Sequence, residues 1–237
     1  MRQIVLDTET TGTEHVQGDR VIEIGCLELL DRRPSGRKFH CYLNPDRDSH
    51  PKALEVHGLT TEFLSDKPRF IEVVDEFLDF VRGAELIIHN ASFDVGFLDA
   101  ELERCGARYG ALADHVAGVV DTLLLARELY PGQRSSLDVL CKRFGIDNSG
   151  RSLHGALLDA GLLLDVYIAL TSGQFDLALG GDASAERSGS ASSCIETVHR
   201  EVRVVRASPE EQAVHQARVE VIATLSGRSL WPDALEA

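Results

Sequence analysis

The chain opens on an apolar run, Ile4-Val5-Leu6, that closes in two acids, Asp7 and Glu9, before Gly12. A short apolar run ending in turn residues predicts a strand lying deep in a sheet. VIEIGCLELL (Val21 to Leu30) predicts a second strand and FHCYL (Phe39 to Leu43) a third, with Arg32 to Lys38, carrying Pro34 and Gly36, as the turn between them. The three read as an antiparallel meander. From Asn44 to Pro68 the pattern is mixed and polar, with one short segment, ALEVHGLT, able to form a helical turn ending at Gly58.

Helical spacing then takes over. Phe70, Val73, Val74, Phe77, Leu78 and Val81 recur on one face, and Gly83 stops the helix. A strand, Glu85 to Asn90, leads to a helix from near Phe93 to Gly106, for which Asn90 or Ser92 is the expected cap. A strand from Val116 to Asp121 precedes the helix TLLLARELY, and a further helix spans roughly Ser136 to Phe144. A long helix runs from about His154 to Ser172. A meander followed by strands alternating with helices predicts an α/β domain, a mixed sheet flanked by helices.

Beyond Gln174 the pattern dissolves. Residues 180–193, GGDASAERSGSASS, are nearly all small or charged, too poor in apolar area to order themselves, and read as a flexible linker. Past it, Ser208 and Glu211 form a capping box opening a helix with the stripe Val214, Ala217, Val221, Ile222 and Leu225, followed by Trp231. So short a segment does not build its own core, and a docking tail is expected. The predicted organisation is a folded domain at 1–174, a linker at 175–193 and a tail at 194–237.

Composition narrows the function. A formal net charge of −14 excludes a protein that coats duplex nucleic acid through many phosphate contacts. It leaves open a grip on one strand end through metals. The five cysteines are scattered, without metal-site or disulfide spacing, and predict reduced thiols. No stretch is apolar enough for a membrane span, so a cytoplasmic protein without membrane contact is expected.

The candidate chemistry starts with Asp7 and Glu9, which two-residue spacing puts on the same side of a strand. Burying two bare carboxylates side by side costs several kcal/mol, roughly, unless a cation or hydrogen bonds compensate. Asp94, in the first turn of its helix, and Asp159, on the long helix, can join them where the carboxyl ends of adjacent strands share one edge. His154 precedes Asp159 by five residues. On a continuous helix the two stand roughly 140° apart at about 100° per residue, so they meet only if His154 lies before the helix or in its first turn. Each residue alone has a plainer reading, as a solvated strand end or a helix-terminal charge.

Taken together, DTETTG, HNASFDVGFL and LHGALLDA resemble the three motifs of the DEDDh exonuclease superfamily, and within it the family of proofreading exonuclease subunits of bacterial DNA polymerase III. The resemblance runs from Arg2 to about Gln174, more loosely into the tail. It implies a ribonuclease H-like fold and removal of 3′-terminal nucleotides from DNA. It also implies that Asp7, Glu9, Asp94 and Asp159 hold two Mg2+ or Mn2+ ions and that His154 is the general base, taking a proton from the attacking water. Thr10, His57, Asn90 and Phe93 join Asp7, Glu9 and Asp159 as implied substrate contacts. Where the family has a carboxylate before an alanine in that pocket, this chain has Lys52.

QFDLAL, residues 174–179, resembles the clamp-binding peptide of bacterial replication proteins, implying that Gln174, Leu177 and Leu179 contact the sliding clamp. The tail, through Val221, Leu225 and Trp231, is expected to dock on the polymerase alpha subunit. Two other functions compete with this one, an RNA-trimming exonuclease of the same superfamily and a non-catalytic tether between polymerase and clamp. The linker and amphipathic tail argue against a stand-alone trimmer, and retention of all five catalytic-type residues argues against the tether.

Overall fold

The computed structural model describes residues 1–150, 153–172 and 207–226. The peptide at 174–179, the linker and Trp231 lie outside the described residues. The chain divides into two compact units, 1–179 and 180–237.

The first unit is built on a five-stranded sheet in the order β3-β2-β1-β4-β5. β1 (Arg2–Thr10), β2 (Val21–Leu30) and β3 (Arg33–Tyr42) form the antiparallel meander, and β4 (Glu85–Ile88) and β5 (Gly118–Asp121) add in parallel on the other side of β1. Helices α1 (Pro51–His57), α2 (Thr61–Leu64) and α3 (Phe70–Val81) separate β3 from β4. α4 (Ala91–Cys105) joins β4 to β5, and α5 (Thr122–Leu129), α6 (Leu137–Phe144) and α7 (Ala156–Thr171) follow.

Alternation along β1 divides the core in two. Ile4 and Leu6 face a cluster that includes Phe70, Phe77, Phe97 and Leu98 from α3 and α4. Val5 faces the opposite cluster, with Leu140, Leu163 and Val166 from α6 and α7. Asp7 and Glu9 continue the odd-numbered side, so both point toward the layer that contains α7.

Two expectations need correction. The third strand begins at Arg33, six residues before Phe39, because Asp31 and Arg32 both adopt left-handed conformations (φ 48° and 65°) and reverse the chain as a two-residue hairpin. Pro34 and Gly36 therefore lie within the strand, which is tolerated because β3 is an edge. Second, neither Asn90 nor Ser92 caps α4 through its side chain. Asn90 is itself left-handed (φ 65°) and makes no cap bond, and the backbone N–H groups of Asn90 and Ala91 donate to Asp121 instead, at 3.2 and 3.0 Å.

The segment between β3 and α3 holds more helix than expected. Pro51 opens α1 and Gly58 closes it in the left-handed conformation, while the Thr60 hydroxyl caps α2 by accepting from the Phe63 N–H.

In the second unit, α8 (Pro209–Ser226) has the capping box read from the sequence: the Ser208 N–H donates to Glu211 Oε2 at 2.8 Å and the Glu211 N–H to Ser208 Oγ at 3.2 Å. Val214, Val221 and Leu225 on this helix are exposed. Among the described residues no helix is long and apolar enough to cross a membrane, and Cys26, Cys41, Cys105 and Cys141 are free thiols.

Candidate active site

β1 ends at the sheet edge where β4 and β5 also end, and the acids gather there. Glu9, only 9% exposed, lies on the α7 side, and Asp159, in the first turn of α7, is buried at 3%. His154 is two residues short of α7, so the 140° separation of a continuous helix does not apply. Its Nδ1 stands 3.4 Å from Asp159 Oδ2. One ligand atom each from Glu9, His154 and Asp159 fall within 4.8 Å of one another.

Asp94 reaches the same strand end from the opposite layer. Its Oδ1 accepts from the Thr8 N–H at 3.1 Å and the Thr8 hydroxyl at 2.7 Å, which fixes it to the residue between Asp7 and Glu9. Burial pushes the Asp94 carboxyl up to about 7, against the pull of the Thr8 hydrogen bonds. A divalent cation beside it reverses that push, because an opposite charge favours the ionised form. The donor set, hard carboxylate oxygens, suits a hard divalent cation. The residues present therefore fit a divalent metal.

The approach of α7 depends on a glycine that sequence reading passed over. Gly25 is the cross-strand partner of Asp7, and a Cβ there would fall 2.3 to 2.5 Å from backbone atoms of Ala156 and Leu157. Backbone cannot yield as a side-chain tip does, so Gly25→Ala should push the start of α7, and Asp159 with it, off the sheet. We expect a stability loss of about 1 to 3 kcal/mol, typical of overpacking, and a larger proportional loss of activity, checked by denaturant melts and nuclease assays on one preparation.

Beside Glu9 opens a cavity of about 730 Å³ whose lining includes Thr8, Glu9, Thr10, Gly12, His50, Lys52, Val56 and Phe93. Thr10 and Phe93 both line this cavity, Phe93 also packing on Phe97 with ring centroids 4.8 Å apart. Thr11 is buried, donating its hydroxyl to Asp19 at 3.2 Å, and Ala91 belongs to the core. Gly12 makes room chiefly for protein: a Cβ there would fall 2.2 Å from Asp19 Oδ2. Asp19, buried and paired with Arg47 at 3.1 Å and His50 at 3.3 Å, ties this loop to the start of α1, a role invisible in the sequence.

Asn90 is exposed at the turn into α4 and does not line the cavity. His57 is buried at the end of α1, and burial lowers its pKa. Its Nδ1 accepts from the Leu59 N–H at 2.9 Å, which places the ring proton on Nε2, and Nε2 is a buried donor with no partner among the described residues.

Residues 4–167 match the family model described as Exonuclease. The DNA polymerase III subunit epsilon of Salmonella typhimurium is 48% identical over 243 aligned residues, 97% of each chain, and that of Escherichia coli is 47% identical over 236 with the same coverage. The chain belongs to the DNA polymerase III epsilon family of exonucleases. It is a metal-dependent 3′–5′ exonuclease that proofreads in DNA replication. Among solved structures, exonuclease X in complex with 5′ overhanging duplex DNA matches with a TM-score of 0.55 and 26% identity, covering 73% of this chain and 92% of that one. Exonuclease I aligns with a TM-score of 0.65 at 20% identity, over 73% of this chain and 41% of that one, which shows the shared fold.

Proposed function

We propose that Asp7, Glu9, Asp94 and Asp159 hold two Mg2+ or Mn2+ ions at the carboxyl end of β1, and that the cavity beside Glu9 takes the terminal nucleotide of a DNA 3′ end. The observation that carries this reading is the convergence of Glu9, His154 and Asp159 within 4.8 Å, with Glu9 itself lining that cavity. When bound, divalent ions acidify water and stabilise charge on the phosphoryl oxygens.

His154, held beside Asp159, takes the proton of the attacking water. The P–O3′ bond breaks, the 5′-mononucleotide departs from the cavity, and the shortened strand keeps the 3′ oxygen, which gains a proton. Asp7 and Asp159 face the scissile phosphate with Glu9. Thr10 and Phe93 border the nucleotide, and Asn90 contacts the strand at the α4 turn. The buried His57 Nε2–H is a donor for the nucleotide, in keeping with a satisfied-when-loaded site. Lys52 gives the cavity wall a cation where the family pattern has a carboxylate.

The reading is tested by offering a primer with a mismatched 3′ end and a single-stranded RNA in the presence of Mg2+ or Mn2+. The mismatched nucleotide should be removed first and faster. RNA trimmed at an equal or higher rate would favour the RNA-trimming alternative.

We further propose, in line with the name of the relatives, that residues 194–237 bind the DNA polymerase III alpha subunit through Val221, Leu225 and Trp231, and that QFDLAL, with Gln174, Leu177 and Leu179, inserts into the sliding clamp, which places the protein in the cytoplasm at the replisome. The exposed apolar positions of α8 support the first, since a lone helix needs a surface for its stripe. The linker then keeps the nuclease captured near the primer end, raising its effective concentration there. A chain ending at Ser193 should digest free DNA at the full rate and still bind the clamp on a sensor surface, yet no longer co-elute with alpha on size exclusion. Co-elution of the shortened chain would remove the tail from this role.

A further inference from the structure

Asp121 ends β5 beside the acids described above, yet it belongs to none of the three motifs. Its carboxylate accepts from four backbone N–H groups at the starts of two helices: Oδ1 from Asn90 at 3.2 Å, Leu123 at 2.8 Å and Leu124 at 3.3 Å, and Oδ2 from Ala91 at 3.0 Å. The next residue repeats the connection. The Thr122 hydroxyl lies 2.9 Å from His89 Nδ1 and donates to the Ile88 carbonyl at 3.3 Å. Two consecutive side chains, the last of β5 and the first of α5, thus stitch the β4–α4 junction to the β5–α5 junction.

The β4–α4 junction is where the chain needs holding. Asn90 sits at φ 65° and ψ 52°, a left-handed conformation that most non-glycine residues avoid, and its own side chain does not cap the helix. From that bend α4 starts at Ala91, and Asp94 projects from its first turn to Thr8. An acid at the start of a helix is favoured by the helix dipole. Asp121 satisfies this for α4 from an adjacent strand, leaving Asp94, the acid on α4 itself, to turn toward β1. It is also near enough for its charge to add to burial in raising the Asp94 carboxyl.

We propose that Asp121 is a positioning residue for the metal site, setting where Asp94 stands by clamping the first turn of α4 to the end of β5. The inference rests on the reading of Asp94 as a metal ligand. Residues that orient ligands rather than bind metal typically contribute about 10- to 100-fold in metal affinity or activity.

The test measures Mn2+ binding directly, by electron paramagnetic resonance and calorimetry on the full chain without DNA, beside thermal melting and the Mn2+ dependence of digestion. Asp121→Ala removes all four acceptor contacts. Asp121→Asn retains Oδ1 for α5 and for the Asn90 N–H and replaces the oxygen that faces Ala91, so it removes the tie to the first residue of α4 while sparing α5, and it serves if the alanine variant does not fold. Both should weaken Mn2+ binding, the alanine variant by about 10- to 100-fold, and shift digestion to higher Mn2+. Asp114→Ala, which removes an acceptor of the Ala111 N–H at 2.9 Å, is the comparison: it should lower the melting temperature without changing Mn2+ binding. Asp94→Ala separates the two readings. If it loses Mn2+ while folded Asp121→Asn binds within about two-fold of the unaltered chain, the positioning role is wrong and the ligand assignment stands. If Asp94→Ala binds Mn2+ normally, the ligand assignment fails and this inference with it.

Discussion

Asp7→Ala or Glu9→Ala should abolish nucleotide release while leaving the metal-free protein as stable as the unaltered chain or somewhat more stable. The two carboxylates follow one another on the same side of β1, and Glu9 is nearly buried opposite Glu23 in the β1–β2 register. Without a cation, such neighbours repel and each pays for lost hydration. Alanine relieves that repulsion and removes an oxygen donor from a site whose charge stabilisation is worth several kcal/mol, roughly 10³-fold or more in rate. Melting in EDTA should therefore hold or rise while primer digestion in Mn2+, run on the same sample, is lost. Digestion near the unaltered rate would sink the metal-site assignment.

His154→Ala should lose turnover by roughly 10² to 10⁴-fold, the usual worth of general-base help, with Mn2+ binding kept. The ring stands 3.4 Å from Asp159 but belongs to the approach to α7, outside the helix that carries the acid. Primer digestion and Mn2+ calorimetry on one preparation read turnover and metal binding separately. Calorimetry showing loss of Mn2+ would instead make His154 a ligand.

These residues were legible because local patterns carry them. Two acids two apart on an apolar run can only share a face, and α3 and α7 announce themselves by apolar recurrence closed by small or polar stops. The β2–β3 turn was misplaced because Pro34 and Gly36 look like turn residues, while the reversal is made by Asp31 and Arg32, whose left-handed conformations leave no compositional trace. The α4 cap was misassigned because the nearest capping-type side chains were Asn90 and Ser92, whereas the acceptor, Asp121, comes from thirty residues away. Asp19 and Gly25 act the same way, by what they meet across the fold. Contacts of that kind belong to the tertiary structure, and no periodicity encodes them.

The His154 backbone N–H donates to the Val56 carbonyl at 3.0 Å, so the base hangs from the last turn of α1 while Asp159 rides on α7 against the sheet. The two halves of the site therefore melt with different partners. α1 is a seven-residue helix whose side chains are mostly exposed, and segments with few buried apolar contacts open locally at much lower free energy than a core. Warming is therefore expected to unseat His154 before it loosens the acids, so that primer digestion should fall reversibly at temperatures where the circular-dichroism melt of the sheet has not begun.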